Sequence, residues 1–426
     1  MSELEITVQS EISPTPLRSS VPYRICMLIG LGGLFSGVTG PLLSTFIPPL
    51  VREALGDHRF AIGAVMAIDN VLLLILVPWA GPASDRARAR GRGRLPLVLA
   101  ALVLSSLGMA LLPFSSAFGV VVLIGAIVVL QTGINLQRAP FQALVADLIP
   151  SRYRSLATSS MMFQMCAGAI AFLMLGHLLG MRPAFLIASG SVLVIAAAFV
   201  LGLREPLTVE SKSVEITFRS LAEVAWSTLR GVMPGMRSIF LAVLLLQLTF
   251  QTFTTWYALH AVERFRVQPQ DATLGFIAWA IGGVIGALPA GFIGVRIGRR
   301  NTFLLGCTIM AACFIALDRV TQINQAIPLL ALASASWTLP TVNSYPLFVE
   351  QVPRERRGVL ASLFLLCMAL GGAVGDPVNG RLFDFFNGYR AMFLLMAGYI
   401  ALAFVAVLFV PRGVGEADTG PEAMTL

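Results

Sequence analysis

Long apolar runs alternate with short polar breaks along most of this chain. They lie at about 23–49, 60–83, 95–113, 117–140, 156–180, 183–203, 238–260, 272–297, 302–318, 326–348, 358–379 and 389–410. A helix rises 1.5 Å per residue and the hydrocarbon core of a bilayer is about 30 Å thick, so runs of roughly 18 residues can cross it. The pattern predicts an all-α integral membrane protein with twelve transmembrane helices.

Composition agrees: 57% of the residues are hydrophobic and only 12% charged, against about a quarter charged in a soluble domain. Charge then sets the orientation. With both termini inside, the inner segments hold 21 of the 30 basic residues, the outer segments hold 8, and Arg138 alone stays within a span. That bias obeys the positive-inside rule, so a multi-pass protein of the cell membrane with both termini cytoplasmic is expected. The net charge of +8 and the run GPASDRARARGRGR at 81–94 suggest a nucleic-acid patch when taken alone. Beside a membrane span they are better read as a topology signal facing anionic inner-leaflet headgroups. The expected partner is the lipid bilayer, with no nucleic acid. The N-terminal stretch MSELEITVQSEISPTPLRSS lacks the apolar core of a signal peptide and is expected to remain as a cytosolic tail.

Chemistry is sparse. Cys26, Cys166, Cys307, Cys313 and Cys367 all fall inside predicted spans without ligand spacing, and His58, His177 and His260 are scattered. No nucleophile, base and orienting group recur at a motif spacing, and no GxxxxGK[ST] loop is present. Neither an enzyme nor an ATP-driven pump is expected, and no metal or cofactor.

The chain repeats itself. DLIPSRYRSLATS (147–159) and EQVPRERRGVLAS (350–362) align at an offset of 203, pairing Asp147 with Glu350, Pro150 with Pro353, Arg154 with Arg357 and Ser159 with Ser362. WAGPASDRARARGRGR (79–94) matches PAGFIGVRIGRR (289–300) with Gly81 opposite Gly291. Duplication divides the chain into a tail (1–21), a six-helix bundle (22–203), a linker (204–237), a second six-helix bundle (238–411) and a tail (412–426). In the linker Phe218, Leu221, Ala225 and Leu229 recur at helical spacing, which fits either an amphipathic helix on the inner surface or a mobile loop.

These paired loops, with Gly81, Asp85 and Arg86 and with the Gly-Arg-Arg of 298–300, resemble the major facilitator superfamily over nearly the whole chain. PWAGPASDRARARGRGRLP is similar to the glycoside-pentoside-hexuronide cation symporters, and NLQRAPFQALVADL (135–148) resembles their sucrose-carrier branch at Asn135, Pro140, Ala143, Leu144, Ala146 and Asp147. The resemblance implies two pseudo-symmetric six-helix bundles rocking about a central site. Departures are clear. Gln142 stands where that branch has Arg, Arg138 where it has Gln, Gln131 falls on its helix-4 acid, and Leu73 and Val77 fall where the melibiose type has aspartates. The resemblance further implies an inner gate of Asp85 and Arg86 with the start of helix 11, joined by Asp147 with Arg154 and by their repeat partners Glu350 and Arg357. Val295 replaces Asp85 in the second copy.

Charge within a span is costly, and only Asp69 and Arg138 sit well inside. Both are candidates for coupling, Asp69 as a protonatable group and Arg138 as a solute anchor or counter-charge. The alternative is a structural ion pair, although their depths differ by roughly 10 Å. Asp376 and Asp384 are expected to make external contacts. On helix 4, Gln131, Asn135, Arg138 and Gln142 share one face. Gln247, Gln251 and Trp256 on helix 7, and Trp337 and Asn343 on helix 10, complete the candidate solute-binding set. Amides suit sugar hydroxyls and aromatic rings suit pyranose faces, while interhelical polar glue is the competing reading.

A monomeric secondary transporter working by alternating access is the resulting expectation, moving a mono- or disaccharide by symport with a proton or another cation. An exporter of drugs or metabolites on the same fold is the alternative.

Overall fold

The computed structural model describes residues 23–150, 153–205, 235–350 and 357–410. The candidate linker helix therefore lies outside the described residues, as do the side chains of Glu350 and Arg357. Twelve long helices account for the described chain: α1 (Tyr23–Leu55), α2 (Arg59–Ala89), α3 (Leu95–Ser115), α4 (Val120–Leu148), α5 (Arg154–Leu179), α6 (Met181–Gly202), α7 (Met236–Arg264), α8 (Thr273–Ile297), α9 (Arg299–Arg319), α10 (Ile323–Glu350), α11 (Arg357–Phe385) and α12 (Met392–Leu408). No strand occurs among the described residues. They correspond one to one with the twelve apolar runs. Several outrun them, α4 by eight residues and α1 by six at the C-terminal end, because backbone hydrogen bonds carry a helix past the first polar residues that end an apolar run.

Among the described residues nine spans are long and apolar enough to cross a bilayer, or ten with α8 counted across a 46° bend beside Pro289. α10 and α11 take their places by packing. In the first half α1 packs on α5 and α6, α2 on α4, and α3 on α4 and α6; in the second half α7 packs on α11 and α12, α8 on α10, and α9 on α10 and α12. Adding six to each helix number converts one set into the other. The result is two pseudo-symmetric six-helix bundles. Close approach depends on small residues: a Cβ on Gly282 or Gly286 of α8 would strike the backbone of Ala331 or Ala335 on α10.

Large apolar side chains cover the outside. Val103, Leu107, Leu111 and Phe114 of α3 are all exposed at helical spacing, a face that water would oppose and lipid accepts. The bundles meet through α2 with α11, α5 with α8, and α1 with α7. The chain enters at Tyr23 and leaves after Leu408 on the same side, here named the termini end; the other is the distal end.

Candidate functional site

The interface between the bundles collects most of the polar residues that lipid could not satisfy. On α4, Gln131 and Asn135 are buried whereas Arg138 and Gln142 on the same face are exposed. Since α4 runs from the distal to the termini end, that gradient marks a cleft open at the termini end and sealed distally. Along α7, Gln247 is buried, Gln251 and Thr254 are half-buried, and the remaining turns from Phe253 to Ala261 are buried.

Asp69 enters this face from α2. The Asn135 Nδ2 amide donates to Asp69 Oδ1 at 2.7 Å and to the Gln131 carbonyl at 3.0 Å, while Asn135 Oδ1 is buried without a partner. Arg138 is not bonded to Asp69: among the described residues its exposed guanidinium has no hydrogen bond or ion pair. The structural ion pair considered from sequence is therefore not formed. An amide takes the carboxylate, and the cation is left facing the cleft.

In the second bundle Trp337 stacks on Phe250 with centroids 5.6 Å apart, and Trp279 stacks on Phe253 at 4.2 Å. Trp337 remains half-buried and keeps its place beside the cleft. Two candidates move elsewhere. Trp256 is fully buried against Phe383 and Tyr389, because α7 turns that side toward α11 and α12. Asn343 is buried with its amide donating to Ala290 at 3.3 Å and Leu339 at 2.9 Å; it ties α10 to α8 beside the bend.

At the termini end the arginine-rich loop folds back on its own bundle. Arg94 pairs with Asp85, its Nε lies 2.9 Å from Asp147 Oδ2, and Arg88 reaches the same oxygen at 2.5 Å. Glu205, just past α6, accepts the backbone N–H groups of Arg94 at 2.6 Å and Leu95 at 3.1 Å, a carboxylate on the N-terminal end of α3. The expected Asp147–Arg154 pair is absent: Arg154 instead donates to the carbonyls of Ala146 at 3.2 Å and Ile149 at 3.4 Å. Two buried guanidiniums from the loop reach Asp147 first. Arg86 is exposed, with Nε donating to the Pro82 carbonyl, and Asp85 finds its partner inside its own loop.

The distal end is closed between the bundles. Arg59 Nη1 of α2 donates to the Phe383 carbonyl at 3.4 Å and stands 3.6 Å from Asp384, and the Phe60 N–H donates to the same carboxylate at 3.3 Å. The Tyr389 hydroxyl donates to Asp57 at 3.1 Å, with Arg52 and Arg59 over its ring at 5.3 and 5.1 Å. Asp384 thus makes its contact at the distal end, with Arg59 and Phe60. Asp376 does not: it is 1% exposed, between α11 and its neighbours, with neither carboxylate oxygen hydrogen-bonded.

A family model described as Major Facilitator Superfamily matches residues 29–317 and 239–424. The chain belongs to the Major Facilitator Superfamily. Like the superfamily as a whole it is a transporter of small molecules and not an enzyme, held in a membrane by many spans. It is 24% identical over 344 residues to the class B tetracycline resistance protein of Escherichia coli, covering 78% of this chain and 82% of that one. A bacterial homolog to the human lysosomal transporter Spinster superposes with a TM-score of 0.69 at 15% identity, over 92% of this chain and 97% of that one. A D-xylose-proton symporter does so with a TM-score of 0.66 at 17% identity, over 94% and 99%. The narrower likeness to sucrose carriers is not among these matches; what is shown is the superfamily.

Sequence reasoning missed Asp57, Arg59, Tyr389 and the burial of Asp376. The first three sit in or beside the distal connections, outside any repeated motif, and Asp376 stands near the end of an apolar run. The signal that could have flagged α11 is its glycines: Gly380, with Gly63 opposite, lets α2 and α11 touch backbone to backbone, and Gly372 admits the Asn70 side chain.

Proposed function

We propose that this superfamily member is a proton-coupled symporter of a small polar solute, a mono- or disaccharide, acting as a monomer in the cell membrane with its termini in the cytoplasm. On that orientation the distal end is external and the cleft opens inward. One observation carries the reading: the carboxylate of Asp69 is hydrogen-bonded by Asn135, which shares a helix face with Gln131, Arg138 and Gln142. A proton gained or lost at Asp69 changes what Asn135 can offer a solute, and this links ion occupancy to solute affinity. Amides and a guanidinium present donors and acceptors to hydroxyl groups, and Trp337 supplies a ring for a sugar face.

A second reading, export of aromatic drugs, draws on the tetracycline resistance relatives and on the ring stack of Phe250, Trp279 and Trp337. Uptake of a panel of labelled sugars into proteoliposomes, with and without an inward proton gradient, separates the two. Gradient-driven accumulation of a sugar supports symport. No sugar flux, together with gradient-driven movement of tetracycline, assigns the chain to export.

A further inference from the structure

Asp376 is the most deeply placed acid in the described structure and the one the preceding sections leave without a task. Its position is fixed by contact. A Cβ on Gly63 of α2 would strike the Asp376 carbonyl, one on Gly380 would strike the Arg59 carbonyl, and one on Gly372 would strike the side chain of Asn70. The two helices thus run antiparallel and touching over three turns, in the register 59 with 380, 63 with 376 and 70 with 372. Asp69, six residues beyond Gly63, consequently lies about 9 Å, nearly two turns, nearer the termini end than Asp376.

Among the described residues no cation pairs with Asp376. On α2, Arg59 is engaged with Asp57, Asp384 and the Phe383 carbonyl, and Asp69, next to the Asn70 that meets Gly372, is a second acid. On α7, Thr255 lies alongside without forming a hydrogen bond of ordinary geometry, His260 is bonded to the Tyr389 carbonyl, and Glu263 accepts from the Tyr389 N–H. On α11 itself Arg381 is exposed. Tyr399 of α12 donates to Asn379, and α10 carries no titratable group from Ile323 to Ser344. A buried carboxylate with neither cation nor hydrogen bond disfavours its ionised form, whereas a carboxylic acid is tolerated there.

We infer that Asp376 takes the coupling proton at the distal face and holds it while α2 and α11 are closed on each other, with Asp69 as the next acceptor toward the cleft. The inference rests on the proton-coupled reading above. Hydronium outside gives up one proton to the Asp376 carboxylate when the helices part, leaving water. Closure then seals the acid until its O–H bond breaks and the proton passes, by way of Asp69, to water in the cleft; the carboxylate left behind parts the helices again. Only the protonated form permits closure, so proton occupancy and the distal gate are one event.

The test needs no solute. Spin labels at the exposed positions His58 and Phe386 report the distance across the distal gate in reconstituted protein. In the parent chain, raising the pH strips Asp376 and shifts the distribution by severalfold toward the long, open distance; Asp376→Asn stays closed at every pH, and Asp376→Glu restores the response. If Asp376→Asn keeps the pH dependence of the parent, or if the parent shows none, the inference is overturned. Infrared spectra provide the check on folding and protonation together: the carbonyl band of a buried acid is expected in the parent and in Asp69→Asn and missing from Asp376→Asn. Sugar accumulation indifferent to a proton gradient would remove the symport reading while leaving a pH-dependent gate in place, so the two can fail separately.

Discussion

Arg59 of α2 and Asp384 of α11 stand 3.6 Å apart across the two halves of the chain, and the Arg59 guanidinium also lies over Tyr389. This pair closes the distal end. It is partly solvated, so its worth is about 0.5–1 kcal/mol, or roughly a two- to fivefold shift between open and closed forms. Asp384→Ala should raise alkylation of a cysteine placed in the distal half of the cleft by that factor, and unchanged labelling would remove the pair from the gate.

The hydrogen bond from Asn135 to Asp69 involves a charged acceptor and a fully buried donor. Such bonds contribute about 1.5–3 kcal/mol. Asn135→Ala should lower kcat/KM for gradient-driven uptake by roughly 10- to 100-fold, with solute exchange in the absence of a gradient less affected. Equal loss in both assays would point to simple misfolding of the α4 face.

Arg138 is exposed and unpaired among the described residues, so no fold contact depends on it. Arg138→Ala should leave the thermal unfolding midpoint in detergent within about 0.5 kcal/mol of the parent while reducing transport by at least about tenfold, the value of one lost charge-assisted hydrogen bond. Full transport by this variant would show that the stripe is not the solute path.

Arg94 is the opposite case. It is buried, and it serves Asp85, Asp147 and Ser84 at once. Removing it strands Asp85 and leaves Asp147 with Arg88 alone, and breaking a buried pair costs up to about 3–5 kcal/mol. Arg94→Ala is expected to lower the melting temperature in detergent by several degrees; a melt like that of the parent would mean the cluster is already hydrated.

Gly63 sits directly against the Asp376 carbonyl. Gly63→Leu should hold α2 and α11 apart, abolish solute cycling and leave the distal half of the cleft permanently open to reagents. The fold should survive, since each bundle packs without that contact.

How far the site could be read before the fold differed from residue to residue. The α4 stripe was legible because 3.6 residues per turn put Gln131, Asn135, Arg138 and Gln142 on one face wherever the helix goes. Trp256 and Asn343 carried the same kind of signal and were packed away, since periodicity says which residues share a face but not which neighbour that face meets. Asp147 misled for a related reason: its nearest base in sequence is Arg152 or Arg154, yet the last turn of α2 and the loop after it deliver Arg88 and Arg94 to it.

What the sequence determined is therefore whatever depends on the bilayer and on single helices: twelve spans, because hydrocarbon admits only long apolar runs of satisfied backbone; a duplicated plan, because the repeat is written in the loops; and a polar stripe, because lipid cannot hydrate it. The tertiary structure alone decided which end is shut, which acid is sealed and which arginine is free. Those outcomes turn on α2 lying against α11 at three glycines separated by more than 300 residues from one helix to the other, a contact set by shape complementarity between distant segments that no local pattern encodes.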